Sequence, residues 1–322
     1  MLKGKQDVAK KMIADLRPGE PVDEVFLLSG FELRTARNES LYLDLTLSDR
    51  SGTLKGRMWD ASEVLYRALA VDDFVRIKGR VGVFRNELQI NVSSISKVDE
   101  TRLSPHDFLP QSERPPGEMR KELEKILVNE VKDPDYARLV RAFLRDEEFM
   151  DQFSMAPAAT SYHHAFLGGL LEHTLSMAQC ALLLVGHYSC LRKDLLLASV
   201  FLHDIGKVRE LDWRRTFQYT DTGQLVGHVV EGVVMVEAKV RDLEGFPQEK
   251  LDLLRHAIIA HHGEYEFGAP KLPMTGEALA LHYLDNLDAK LRDITDAIAA
   301  DANEQSNWTG YITRLERRLY KR

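Results

Sequence analysis

This chain of 322 residues has eleven histidines, and ten of them fall between His163 and His282. Read in order with two aspartates, they give His173, the adjacent pair His203-Asp204, His228, the pair His261-His262, and Asp285. Imidazole and carboxylate in this mixture suit Mn, Fe, Co, Ni or Zn. An adjacent His-Asp pair can serve one metal only where the backbone turns. Gly206 follows two residues later, so this pair is expected near a helix end. Seven potential ligands exceed the roughly four to six that one ion takes, so one or, better, two divalent transition-metal ions are expected. Two such ions held by neutral imidazoles and two carboxylates leave an electropositive pocket. It would attract a phosphate and lower the pKa of a bridging water toward neutral. Asp204 is the natural bridge. Lys207, three residues on, can set an ammonium beside the phosphate as a point charge; its plain alternative is a solvated surface lysine. In this scheme the metals supply the nucleophile, and no Ser or Cys nucleophile is needed. Cys180 and Cys190 sit in apolar helical sequence and read as buried fillers. His163 and His164 stand just before the first ligand's helix, placed to touch substrate phosphate or the attacking water. His106, His187, His256 and His282 read as ordinary residues.

These side chains need elements that bring them together. After Pro116-Gly117 the sequence reads as helices. Glu118–Val131 is amphipathic, and Pro134 takes a first-turn position where its missing N–H costs nothing. Leu167–Tyr188 and Asp194–Leu202 are strongly apolar and read as buried helices. Gln248–His262 ends at Gly263, a residue suited to the position after a helix, and Glu277–Ile298 follows. The ligands thus come from at least four helices, as in metal sites built in bundle cores. No run here alternates as a strand does, so 118–322 is expected to be all-α.

The first hundred residues read differently. Glu24–Leu33 is extended and apolar, and Leu41–Leu47 alternates with period two. Ser51-Gly52 turns into a second strand, Thr53–Trp59. Ala61–Ala70 has a helical pattern, and Phe74–Phe84 and Glu87–Val98 form a hairpin about Arg85-Asn86. Three strands, a helix and two strands is the element order of an OB-fold, a five-stranded barrel; another small β-barrel is the alternative. The expected fold is α+β multidomain: an OB-fold over 1–103, a Pro-rich polar linker over 104–117, and an all-α domain over 118–322.

Composition bounds the function. The length predicts about two domains of about 150 residues. With 44% hydrophobic residues, the chain is no disordered, collagenous or coiled-coil protein. No apolar run approaches the roughly 18–20 residues of a membrane span. The start, MLKGKQDVAKKMIADLRPGE, lacks the apolar core of a signal peptide. Two cysteines fit a reducing cytoplasm. The net charge of −7 argues against a generally basic nucleic-acid coat. Charge is uneven, however: residues 1–105 hold 17 Lys+Arg against 16 Asp+Glu, the remainder 26 against 34. In OB-folds the outer face of the second and third strands binds oligonucleotides or oligosaccharides. Leu41, Leu43, Leu45 and Leu47 are expected inward and Tyr42 outward; in the next strand Lys55, Arg57 and Trp59 point out; Arg76, Lys78 and Arg80 share an outer face. Cations that track a backbone, with Tyr42, Trp59 and Phe84 for base stacking, fit a single strand. The alternative is a solvated charged face, since 22–98 holds 11 basic and 11 acidic residues.

His173, His203-Asp204 and Asp285 resemble the H…HD…D signature of the HD-domain metal-dependent phosphohydrolases. His203-Asp204-Ile205-Gly206-Lys207 matches the extended form HDxGK, and His228 and His261-His262 resemble the extra histidines of binuclear members. Some trinuclear members carry a Glu four residues before the first ligand. Gly169 stands there, which puts a third metal in doubt. With the OB-fold in front, the chain resembles the YhaM family of 3′–5′ exoribonucleases along most of its length. The carrying stretches are His163–Thr174, Leu202–Lys207, His261-His262-Gly263 with Phe267–Pro273, and Asp285-Asn286-Leu287-Asp288. The resemblance implies RNA trimmed from its 3′ end, with Mn²⁺ or a similar ion; some members also degrade single-stranded DNA. Polarity and the choice of RNA over DNA rest on the resemblance alone. The expected function is therefore a metal-dependent 3′–5′ exonuclease releasing nucleoside 5′-monophosphates. In it His173, His203, Asp204 and Asp285 bind one ion and His228, His261 and His262 complete a second. Two alternatives stay open: an HD hydrolase of small nucleotides with a regulatory barrel, and a non-enzymatic single-strand-binding protein with an inert HD domain. The oligomeric state stays open too, a homo-oligomer included.

Overall fold

The computed structural model describes residues 10–36, 38–85, 87–161 and 164–322. They divide into two compact units, one up to Gln111 together with Trp213–Thr216, the other Ser112–Asp212 with Phe217–Arg322.

The first unit is a closed five-stranded barrel. Its elements are β1 (Pro21–Thr35), β2 (Leu41–Asp49), β3 (Gly52–Trp59), α1 (Glu63–Ala68), β4 (Phe74–Phe84) and β5 (Glu87–Lys97), in the spatial order β1-β2-β3-β5-β4. The period-two alternation of β2 puts Leu43, Leu45 and Leu47 in the core with no exposure. β1 is longer than expected because it serves two partners. Pro21–Leu27 pairs with β4 and Leu27–Thr35 with β2, with a register shift between Leu28 and Gly30. Such a bulge bends a strand and lets it close a sheet on itself. The parallel pairing of Lys55–Arg57 with Gln89–Asn91 completes the closure. α1 is shorter than the Ala61–Ala70 pattern. It begins where Ser62 caps the Leu65 N–H (3.2 Å).

The second unit is mostly helical: α2 (Pro116–Glu130), α3 (Pro134–Leu144), α4 (Glu147–Met155), α5 (Gly169–His187), α6 (Lys193–Leu202), α7 (Lys207–Glu210), α8 (Asp221–Val226), α9 (His228–Arg241), α10 (Gln248–Ala260) and α11 (Gly276–Ala299). This is the helical domain expected, with one small addition: β6 (Leu211–Asp212) and β7 (Gln218–Tyr219) form a short antiparallel pair. Two residues a side leave no alternation to read in the sequence. α6 is apolar all round, and every residue from Leu195 to Leu202 is buried, as expected of a central helix. α5 is long and apolar enough, by length and composition, to cross a membrane. Nine of its residues, His173 among them, are buried within this unit, so core packing accounts for its apolarity. The cysteines are not buried fillers. Cys180 is half-buried and Cys190 is exposed, because α5 ends at His187 and Cys190 lies in the turn before α6.

Candidate metal centre

The first ligands are delivered by helix ends. His203 follows the last residue of α6, and His261 the last residue of α10. Each turns its Nδ1 back onto a carbonyl three residues earlier: Val200 O at 2.8 Å and Ile258 O at 2.6 Å. A carbonyl only accepts, so Nδ1 carries the proton and Nε2 keeps its lone pair. His228 opens α9 and gives its Nδ1 proton to Glu210 (2.9 Å), which also accepts the His228 backbone N–H (3.0 Å). His173, in the second turn of α5, gives its Nδ1 proton to Asp288 (2.7 Å). Four imidazoles are thus held in the tautomer that leaves Nε2 free, as metal-ligating histidines are.

Those four nitrogens converge on Asp204. Its Oδ2 lies 3.3 Å from His203 Nε2 and 3.9 Å from His173 Nε2. Its Oδ1 lies 3.5 Å from His228 Nε2 and 3.7 Å from His261 Nε2. Asp285 adds an oxygen 3.3 Å from His173 Nε2. His262 stands edge-on to His261, ring centres 4.2 Å apart, and 5.2 Å from His228. All seven residues anticipated as ligands are therefore gathered in one place. Asp204 Oδ1, His203 Nε2, His228 Nε2 and His262 Nδ1 are buried without a hydrogen-bond partner. Buried polar atoms are nearly always satisfied, and a cluster of unsatisfied lone pairs fits cations. Charges agree. Burial presses His261 well toward the neutral form and His262 in the same direction, helped by the neighbouring histidines. Burial opposes the Asp204 carboxylate, yet Lys207 and His203 outweigh it and hold the group well below the usual carboxylate range. His173 is the exception: burial presses on it too, but Asp285 and Asp288 raise it to about 9, so a metal ion there would have to displace its Nε2 proton.

A second row holds the first. Asp288 accepts from His173, His164 (3.0 Å) and Ser176 (2.5 Å). His282 donates to His261 O (3.0 Å) and is not an idle residue. Sequence reading assigned no role to Asp288 or Glu210. Asp288 carried a signal, one helical turn after Asp285; Glu210 carried none, since its partner is eighteen residues on. His164 is buried, with a left-handed backbone (φ 52°), and points at Asp288 rather than into open space; its Nδ1 is unpartnered. His163 lies outside the described residues. A Cβ on Gly169 would stand 2.0 Å from His164 O, so no Glu fits four residues before His173. Lys207 donates to Asp204 Oδ2 (2.6 Å) and lines the cavity over the cluster. That cavity is about 320 Å³. A larger one, about 630 Å³ and walled by α3, α4, α7 and α9, contains none of the seven ligands, so size does not mark the site here.

Residues 170–290 match the HD domain family, and residues 29–98 an OB-fold nucleic acid binding domain. The likeness extends to whole proteins. The 3′-5′ exoribonuclease YhaM of Bacillus subtilis (strain 168) is 34% identical over 305 residues, 94% of this chain and 95% of that one. That of Geobacillus sp. (strain WCH70) is 35% identical over 315 residues, 96% of this chain and 94% of that one. This chain belongs to the YhaM family. With the HD domain comes dependence on divalent metal, and the residues present fit it.

The barrel, which matches a nucleic acid binding domain, gathers aromatic rings around a cation. Tyr42 and Trp59 face each other across β2 and β3, ring centres 5.0 Å apart. The Arg57 guanidinium lies 5.3 Å from the Tyr42 ring, 5.6 Å from Trp59 and 5.3 Å from Phe84. Its Nε is buried without a partner. Lys55 and Arg57 share a cleft of about 210 Å³ with Phe84 and Arg85. The other three cations stand elsewhere. Arg76 and Lys78 pair with Asp23 (2.6 and 3.5 Å), and Arg80 donates to Gly19 O (2.6 Å), where β4 runs beside β1. A closed barrel turns its outer face through a full circle, so residues outward on every strand do not form one surface.

Proposed function

We propose that this protein is a divalent-metal-dependent 3′–5′ exonuclease of single-stranded RNA that releases nucleoside 5′-monophosphates. The observation that supports this best is the convergence of four oriented Nε2 atoms on the two oxygens of Asp204. His173, His203, Asp204 and Asp285 form one set of donors, and His228, His261 and His262 another. Asp204 faces both. A pair of divalent ions there, manganese by our reading, supplies an activated water and positive charge for the scissile phosphate. The chain's own residues do the rest. Asp288, Glu210 and the Val200 and Ile258 carbonyls fix the tautomers. Lys207 holds a cation at the edge of the cavity. Tyr42, Arg57, Trp59 and Phe84 stack and grip the strand. We place the activity in the cytoplasm, on the two unpaired cysteines, and leave the protein no membrane role.

A 5′-labelled single-stranded RNA incubated with protein and Mn²⁺ should give a ladder that shortens from the 3′ end on a denaturing gel. EDTA should stop it, and excess Mn²⁺ should restore it. Hydrolysis of mononucleotides only would move the function to a small-nucleotide hydrolase. A mobility shift without hydrolysis would leave a binding protein with an inert HD domain.

A further inference from the structure

The metal ligands account for the scissile phosphate but not for the nucleotides around it. Residues 106–322 hold 26 Lys+Arg against 34 Asp+Glu, an unwelcoming balance for a polyanion. The cations are not spread evenly. Trp308–Arg322 carries five of them against a single acid, Glu316. Two cavities of the helical unit meet at Lys290. One is the space of about 320 Å³ over the ligands, whose wall also holds Phe267 and Asn286. The other, about 280 Å³, is lined by Lys290, Arg314, Glu316 and Arg317. Arg314 is tied to Asp293 (2.6 Å). Among the described residues, Lys290 and Arg317 have no acidic partner, and Arg317 Nε donates to Leu315 O (2.7 Å).

Phe267 is the second unexplained feature. It sits in the turn Tyr265–Phe267 after α10, 57% exposed, on the wall of a cavity otherwise lined mainly by polar and charged side chains. An open aromatic face beside cations is the usual platform for a base. About 320 Å³ is at the low end of ligand cavities, roughly 300–1,000 Å³. It has room for one nucleotide, so the strand must leave it, and Lys290 is the residue it shares with the neighbouring cavity.

We propose that the helical unit carries its own track for the 3′ end of the strand. Phe267 stacks on the terminal base, Lys290 holds the phosphate upstream of the scissile one, and Arg317 holds the next. With base and upstream phosphate both held at this cavity, the terminal phosphodiester is set over Asp204. This rests on the exoribonuclease reading.

The test uses the full chain with Mn²⁺ and compares kcat/KM on a 5′-labelled 20-nucleotide RNA with that on bis(4-nitrophenyl) phosphate. Lys290→Ala combined with Arg317→Ala should lower the RNA-to-diester ratio about ten-fold. It should also flatten the log–log salt dependence of RNA binding by about 1.4, at about 0.7 per phosphate contact. Phe267→Ala should slow RNA cleavage about 5- to 150-fold, the equivalent of about 1–3 kcal/mol per stacked base, and Phe267→Trp should recover it. A double variant with unchanged ratio and slope overturns the phosphate track, and a Phe267→Ala protein as fast on RNA as wild type overturns the stacking; either leaves the exoribonuclease reading standing. Wild-type protein that cleaves the diester but never shortens RNA overturns that reading, and the track with it.

Discussion

Asp204 aims its two oxygens at different pairs of histidines, His173 and His203 on one side and His228 and His261 on the other. No other carboxylate in the cluster does this, and no neighbour can replace it. Asp204→Ala should therefore cut hydrolysis by more than about 100-fold, roughly 3 kcal/mol in the barrier, while RNA affinity stays near wild type. Retention of a tenth of the wild-type rate would show that Asp204 has a lesser role. Glu210 acts one step back, through the ring and backbone N–H of His228. Glu210→Gln keeps the shape but loses the charge that holds His228 in place, and should weaken metal binding about 10- to 100-fold. Titration with Mn²⁺, followed by bound metal per chain, reads this directly. At this scale the sequence was legible where residue type alone restricts chemistry: His and Asp in a fixed order announce ligands. It was mute on Glu210, and gave Asp288 no role beyond its place one helical turn after Asp285, because a carboxylate's partner is chosen by the tertiary fold.

The helix ends that carry these residues depend on close backbone approach. A Cβ on Gly206 would stand 2.0 Å from His228 O and 2.7 Å from Gly232 N. The glycine after the His-Asp pair thus lets the start of α9 lie against the turn between α6 and α7. Gly206→Ala has only backbone to push against, and must move the start of α9 and His228 with it. It should cost about 1–3 kcal/mol of stability and lower the metal content, whereas Gly117→Ala, with nothing within 4 Å, should do neither. Thermal unfolding and elemental analysis of the two proteins separate these outcomes. α9 itself was not anticipated. Its sequence, HVVEGVVMVEAKVR, has six valines and an internal glycine, both poor in helices. Burial of Val229, Gly232, Met235 and Val236 on one face overrides that preference. α5, α6, α10 and α11 were legible because they are long and either strongly apolar or clearly ended. In the barrel, inward residues were legible from alternation. Which outward residues share a side was not, since closure decides it.

At the scale of the whole chain, the proposed reading has both units hold the strand, and the barrel's cations give the sharpest way to measure the barrel's share. Arg57 and Lys55 face a cleft among aromatic rings, and the Arg57 Nε has no partner. Arg76 and Lys78 already face Asp23. Surface ion pairs of this kind are worth little in stability, about 0–1 kcal/mol, but they spend the charge that would otherwise meet a phosphate. Each phosphate contact releases condensed counterions and adds about 0.7 to the log–log salt slope for a single strand. Lys55→Ala with Arg57→Ala should therefore lower the slope by about 1.4, and weaken all sequences alike. Arg76→Ala with Lys78→Ala should change it by much less, although the charge removed is the same. Trp59→Ala should cost about 1–3 kcal/mol of affinity with little change in slope, because stacking moves no counterions. Fluorescence titrations of a 20-nucleotide RNA at several salt concentrations, with EDTA present to prevent cleavage, give all three numbers. Equal slopes lost in the two double variants would mean that the strand also runs over the β1–β4 side. Residues outward on every strand would then act together after all.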